Sequence, residues 1–131
     1  MNITRRTLIA TSAAAVAAVI ALPVGAQNTV KVGEINSYSG QPGFTGPYKK
    51  GWEMALDEIN AKGGVLGKKL EVVSRDDQGK PAEAVKIAEE MLVSDKVVMI
   101  GGTFLSNIGL AVTDVAAQQK AFFLASEPLA D

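Results

Sequence analysis

Cysteine and histidine are absent from the 131 residues, and only seven side chains are aromatic: one Trp, two Tyr and four Phe. Without thiols or imidazoles there can be no Cys2His2 zinc finger, no thiol nucleophile, no Ser-His-Asp triad and no imidazole base. A basic excess is missing as well. Thirteen Lys and Arg stand against fourteen Asp and Glu, a formal net charge of −1. Nucleic-acid binders carry a strong positive excess, so no nucleic acid is predicted as a partner. The lack of cysteine leaves the compartment open, because exported proteins also do without disulfides. At about 100–200 residues per domain, the length holds one domain at most.

The charges that are present are unevenly placed. Residues 1–26 contain Arg5 and Arg6 and no acid, which leaves 11 basic and 14 acidic side chains, a net of −3, in residues 27–131. An uncharged run, mostly Ala, Val, Ile and Leu, extends from Leu8 to Leu22, Pro23 breaks it, and Val24-Gly25-Ala26 follows. A positive start, a short apolar stretch and a small-residue end define a secretory signal peptide. A membrane-spanning helix needs about 20 apolar residues, more than this run supplies. Residues 1–26 are therefore predicted to be a signal peptide cleaved near Ala26, with the mature chain in the periplasm. Thr4-Arg5-Arg6-Thr7-Leu8 also fits a twin-arginine signal, with the general secretory route the preferred reading.

The mature segment reads as alternating strands and helices. Val30–Ile35 is rich in β-formers, and a loop dense in Gly and Pro is predicted from Asn36 to Pro47. A helix is placed over Tyr48–Ala61, where Tyr48, Trp52, Ala55, Leu56 and Ile59 fall on one stripe. Gly63-Gly64 supplies its C-terminal stop. Lys69–Arg75 reads as a second strand, Asp76–Gly79 as a turn, and Pro81 as the first residue of a helix burying Ala84, Val85, Ala88, Met91 and Leu92. Val97–Ile100 is apolar throughout, which suits a parallel strand covered on both faces. A third helix carries Leu105, Ile108, Val112, Val115 and Ala116, and Ala121–Leu124 is the fourth strand. The order βαβαβαβ with short connections predicts an α/β fold, a parallel sheet with flanking helices.

Ligands of such sheets bind beyond the carboxyl ends of the strands. Three loops there are candidates: 36–47, 101–107 and 125–129. In Gly101-Gly102-Thr103-Phe104-Leu105-Ser106-Asn107, an apolar strand passes into an amphipathic helix. Glycines permit close backbone approach, and the first amides of a helix are unpaired donors suited to a carboxylate or another small anion. Ser106 either adds a hydroxyl to that corner or simply caps the helix; local pattern leaves both readings open. No G-x-G-x-x-G or G-x-x-x-x-G-K-[ST] occurs, which disfavours a nucleotide. Asp76 and Asp77 turn the chain and place negative charge at a helix start, with a metal site as the weaker alternative.

Several segments, taken in order, resemble one family. They are Ser39-Gly40, Gly51-Trp-Glu-Met-Ala-Leu-Asp-Glu-Ile-Asn-Ala-Lys-Gly-Gly64, Leu66-Gly-Lys-Lys-Leu70, Asp76-Asp77-Gln78 with Pro81 and Ala84, and Ile100-Gly101 leading to Ser106. Over residues 30–131 the chain is similar to the start of the periplasmic leucine/isoleucine/valine-binding proteins, the type I solute-binding proteins of ABC importers. The resemblance implies two lobes closing over a small solute, an amino acid or amide, which is then delivered to a membrane permease. It implies no enzyme activity, no cofactor and no metal. Carried over residue by residue, Ser106, with Asn107 beside it, falls where the family holds a carboxylate. Ala125, Ser126 and Glu127 fall where the family holds an amino group, and Phe44 and Thr45 lie near its aromatic contact.

The sequence departs from the family at Ala125-Ser126-Glu127-Pro128, where amino-acid binders have a small Thr-Pro-Ala-like segment. A carboxylate in a cleft needs a cation or donors, so Glu127 faces either solvent or a cationic or amide-bearing ligand. Branched-chain specificity does not follow from the resemblance. Family members are more than twice this long, so residues 27–131 read as the N-terminal part of the first lobe, truncated. Such a fragment is predicted to be marginally stable, to self-associate and to have no measurable affinity for amino acids. Two other classes fit the same pattern: a ligand-sensing receptor domain of the same fold, and a small flavodoxin-like enzyme for which only Asp76-Asp77 offers a foothold.

Overall fold

The computed structural model describes residues 29–129; the predicted signal peptide lies outside them. Four parallel strands form one sheet in the order β2-β1-β3-β4, with β1 at Thr29–Asn36, β2 at Lys69–Asp76, β3 at Met99–Gly102 and β4 at Phe122–Ala125. The helices are α1 at Pro42–Ala61, α2 at Pro81–Glu90 and α3 at Ser106–Gln119, with a π-helical turn at Met91–Asp95 extending α2. The predicted βαβαβαβ order and parallel sheet are the observed ones.

One face of the sheet carries the apolar core. Ile35 and Ile100 project from it onto Ala84, Ile87, Ala88 and Met91 of α2 and its π turn, and onto Ile108, Val112 and Val115 of α3. Gly33 sits among them because a methyl there would lie 2.8 Å from Met91 Sδ. On the other face α1 lies over β2 and β1 and buries far less. Tyr48, Trp52, Leu56 and Ile59 of its predicted stripe are half-covered, Ala55 is exposed, and Thr45 is the helix's one buried residue.

Several features differ from expectation for identifiable reasons. First, α1 begins at Pro42, so Phe44 and Thr45 sit on the helix and the preceding loop shrinks to 37–41. Pro42 occupies the first turn, where a missing N–H costs nothing. Pro47 lies inside the helix, where it leaves the Gly43 carbonyl without its usual intrahelical donor. Second, β3 runs two residues later than predicted, so Gly101 and Gly102 are in the strand and the loop is only 103–105. Third, β3 is not covered on both faces. Val98 is largely exposed and Met99 half-exposed, because only one side carries helices at that point. β4 starts one residue later than predicted.

The end of α1 is as the glycine pair suggests. Gly63 takes φ +99°, Gly63 N–H donates to Asn60 O and Gly64 N–H to Ile59 O, satisfying carbonyls the helix would leave unpaired.

Candidate functional site

The carboxyl ends of β1, β3 and β4 meet the starts of α1 and α3, and the sequence-derived candidates gather there. Ser106 is the first residue of α3, whereas Leu105 occupies the cap position in an extended conformation without a side-chain cap bond. Ser106 is therefore not a helix cap. Its Oγ accepts the Leu129 N–H at 3.1 Å, leaving the hydroxyl proton available to a second partner. Ile108 and Gly109 both donate to Leu105 O, so the Ser106 and Asn107 amides are the ones left without an intrahelical acceptor. That pairing of free amides with a hydroxyl suits an anion.

Phe44, on the first turn of α1, is 65% exposed and stacks on Phe104 of the β3–α3 loop, with ring centroids 5.3 Å apart. Phe104 is missing from the sequence-derived candidates, although its position two residues before Ser106 pointed to it. Thr45 is completely buried, and its hydroxyl donates to Gln41 O at 2.9 Å; it holds the start of α1. Ala125 ends β4 and is exposed. Ser126 N–H donates to Gly102 O at 3.0 Å, and the Ser126 hydroxyl lies beside that of Tyr48. Pro128 packs against Gly109, where a methyl would lie 2.6 Å from its ring. Residues 126–129 thus fold back over the start of α3.

Glu127 is half-buried, with Oε2 shielded from solvent and unpartnered, and burial pushes its carboxyl pKa up. Asp77, read from the sequence as a turn residue, is completely buried. Its Oδ1 accepts from Ser37 Oγ at 2.6 Å and Gly79 N–H at 2.8 Å, tying the β1–α1 loop to the β2–α2 loop. Asp76 accepts from the Ser39 and Gln78 amides. Both aspartates already have structural partners.

A second cluster lies under α1. Glu34 of β1 is only 5% exposed. Its Oε2 accepts from Ser74 Oγ at 2.6 Å and Tyr38 OH at 2.9 Å, and Trp52 Nε1–H donates to the Tyr38 oxygen at 3.1 Å. Burial raises the Glu34 pKa against the opposing pull of Ser74, Tyr38 and Asn36, and raises that of Tyr38 as well. Nothing in local pattern announces this cluster, since it joins positions as far as 40 residues apart.

The model of the periplasmic binding protein family matches residues 29–131. The chain belongs to the type I periplasmic binding protein family. Among curated relatives it is 32% identical to an amino acid binding protein of Pseudomonas aeruginosa, over 79% of this chain and 28% of that one. It is 35% identical to Leu/Ile/Val-binding protein homolog 7 of Brucella suis biovar 1, over 79% of this chain and 26% of that protein. Among solved structures, the branched-chain amino acid transporter substrate-binding protein LivJ of Streptococcus pneumoniae, in complex with isoleucine, superposes with a TM-score of 0.73 at 31% identity, over 79% of this chain and 30% of that one. A solute-binding protein of Rhodopseudomonas palustris BisB5, in complex with 3,4-dihydroxybenzoic acid, gives a TM-score of 0.67 at 31% identity, over 77% of this chain and 28% of that one. This chain thus spans 26–30% of the length of these relatives.

Proposed function

We propose that residues 27–131 are the N-terminal part of the first ligand-binding lobe of an extracytoplasmic solute-binding component of an ABC importer. The solute is an amino acid or a related small carboxylate or amide, and the partner is the importer's membrane permease. Residues 1–26 direct export to the periplasm and are removed near Ala26. The observation that carries this reading is the start of α3, where free amides and the Ser106 hydroxyl converge beyond the carboxyl end of a parallel sheet. It is supported by relatives that bind isoleucine and 3,4-dihydroxybenzoic acid, both of which carry a carboxylate. No bond need be made or broken; the lobe would contribute one wall, and closure against a second would enclose the solute.

Ser106 is the residue on which to test it. In a chain carrying this lobe together with the second one, Ser106→Ala removes one charge-assisted hydrogen bond. Affinity for the carboxylate ligand should fall by on the order of 1.5–3 kcal/mol in calorimetry. Unchanged affinity would reduce Ser106 to the contact it makes with Leu129.

A further inference from the structure

Charge is segregated along the strand direction. In a parallel sheet joined by crossover helices, strands begin and helices end on the same side, here the amino end, opposite the candidate ligand site. Six lysines lie there. Lys31 and Lys69 are among the first residues of β1 and β2, and Lys68 belongs to the Val65–Lys68 turn. Lys62, Lys96 and Lys120 close α1, the π turn and α3. Two acids share that end: Glu71 stands opposite Lys31 in register, and Asp95 is held by Arg75 at 2.9 Å. Glu58, one turn further up α1, reaches Lys62 at 3.7 Å. The rest of residues 27–131 carries five basic and twelve acidic side chains.

Apolar side chains project among the lysines. Leu66, at the tip of the Val65–Lys68 turn, is 96% exposed. Val98, just ahead of β3, and Phe122, at the start of β4, are exposed as well. Leu66, Lys96 and Lys120 take φ of +51°, +57° and +53°, a conformation that glycine adopts freely and a larger side chain does not. Helix dipoles favour the cations at Lys96 and Lys120, but they account neither for Lys68 and Lys69 nor for Leu66. An apolar tip among lysines suits an anionic bilayer surface, where the apolar side chain enters the interface and the ammonium groups stay at headgroup level. No helix among the described residues is long and apolar enough to cross a membrane, so the contact is with the surface. The chain also enters the fold here: β1 starts at Thr29, so the apolar run Leu8–Leu22 joins the described residues at this end.

We propose that the amino end of the sheet, with Leu66, Lys68, Lys69 and Lys96 as its main contacts, binds the surface of an anionic phospholipid bilayer. A lipid surface fits better than an acidic protein, because the segment leading into β1 is itself apolar enough to meet a membrane and joins the fold at this end. The contact does not depend on what the opposite end binds. With the lysines against the bilayer, the carboxyl ends of the strands face away from it and stay open to solute.

Flotation of the full chain with vesicles tests this. Pure phosphatidylcholine vesicles report what the apolar N-terminal run contributes without lipid charge, and vesicles of equal parts phosphatidylcholine and phosphatidylglycerol add the charge. The mixed vesicles should bind more tightly at low salt, and the gain should vanish at high salt. Replacing Lys68, Lys69 and Lys96 together by Gln should weaken binding to the mixed vesicles on the order of a hundredfold, about fivefold per lysine. Replacing Lys50, Lys80 and Lys86 by Gln removes the same charge away from that end and should change binding little. Leu66→Asn should weaken binding about tenfold while leaving the fold at least as stable, since Asn tolerates a positive φ better than Leu does. Equal binding to the two vesicles overturns the proposal and leaves the lysines to an acidic protein surface. An equal loss in the two triple variants overturns it as well, by making net charge rather than its placement the cause, and so does full binding by Leu66→Asn.

Discussion

At the scale of single residues, buried carboxyls set how this protein should respond to pH. Burial raises the pKa of Glu34 and Asp77 in the folded state, so each is harder to ionise there than in the unfolded chain. A raised folded value means the group's contribution to stability is complete below its ordinary value, 4.5 for Glu34, and is lost as pH climbs through the folded one. Asp76, half-buried and held by hydrogen bonds from Ser39 and from backbone amides, works in the opposite sense. The contribution of Glu34 and Asp77 to stability should therefore fall as pH rises above their ordinary values, and Glu34→Gln should flatten part of that decline. Urea unfolding of both proteins at pH 5 and pH 8 measures it. Equal losses in the two would show that Glu34 ionises without hindrance. The pair Glu34 and Tyr38 was invisible in the sequence because nothing local marks a buried carboxylate. Ser106, by contrast, was legible, since a strand, two glycines and an amphipathic helix in succession require a helix start at that point.

At the scale of elements, strands and core helices could be read because their apolar residues repeat with the right period. α1 could not be read in full. Its first turns contain Gly43, Gly46 and two prolines, residues that usually punctuate structure, and only the later stripe from Tyr48 carries a helical signal. The observed helix has Pro42 in its first turn and carries Pro47 in its interior, neither of which local propensity reveals. That composition leaves α1 weaker than its 20 residues suggest. A methyl at Gly51 would meet no atom within 4 Å. Gly51→Ala should accordingly stabilise the protein by about 0.5–1 kcal/mol, the usual difference between glycine and alanine inside a helix. Denaturant melts of the two proteins decide it, and a loss of stability would mean that α1 uses that gap for an approach by another surface. The shifted β3 has the same kind of cause. Gly101 and Gly102 look like loop residues, yet Gly102 is held by contact with the Ile35 carbonyl and Glu34, where any side chain would collide.

At the scale of the whole molecule, the two edges of the sheet are unlike. β2 places Lys69, Glu71, Arg75 and Asp76 along its eight residues, and charges of this kind discourage edge-to-edge pairing. β4 reads Phe-Phe-Leu-Ala and has no charge. Phe123 turns inward against the core, so Phe122 and Leu124 project from the opposite face, where they are 63% and 54% exposed. That face lies beyond the reach of α1, which covers β2 and β1. An uncharged open edge beside two exposed apolar side chains favours pairing with a second copy of the same strand. The 131-residue chain should therefore self-associate, and replacing both Phe122 and Leu124 by Lys should return it to a monomer. Sedimentation velocity over a concentration series reads both states. A wild-type chain that stays monomeric at high concentration would show that the open edge alone does not drive association. A double variant that associates as strongly as the wild type would place the contact elsewhere on the surface. The same bare strand bears on binding, because it borders the Ser126 and Glu127 corner. A partner that covers β4 also narrows the approach to the site, so binding titrations should be made on the monomeric double variant as well as on the wild-type chain.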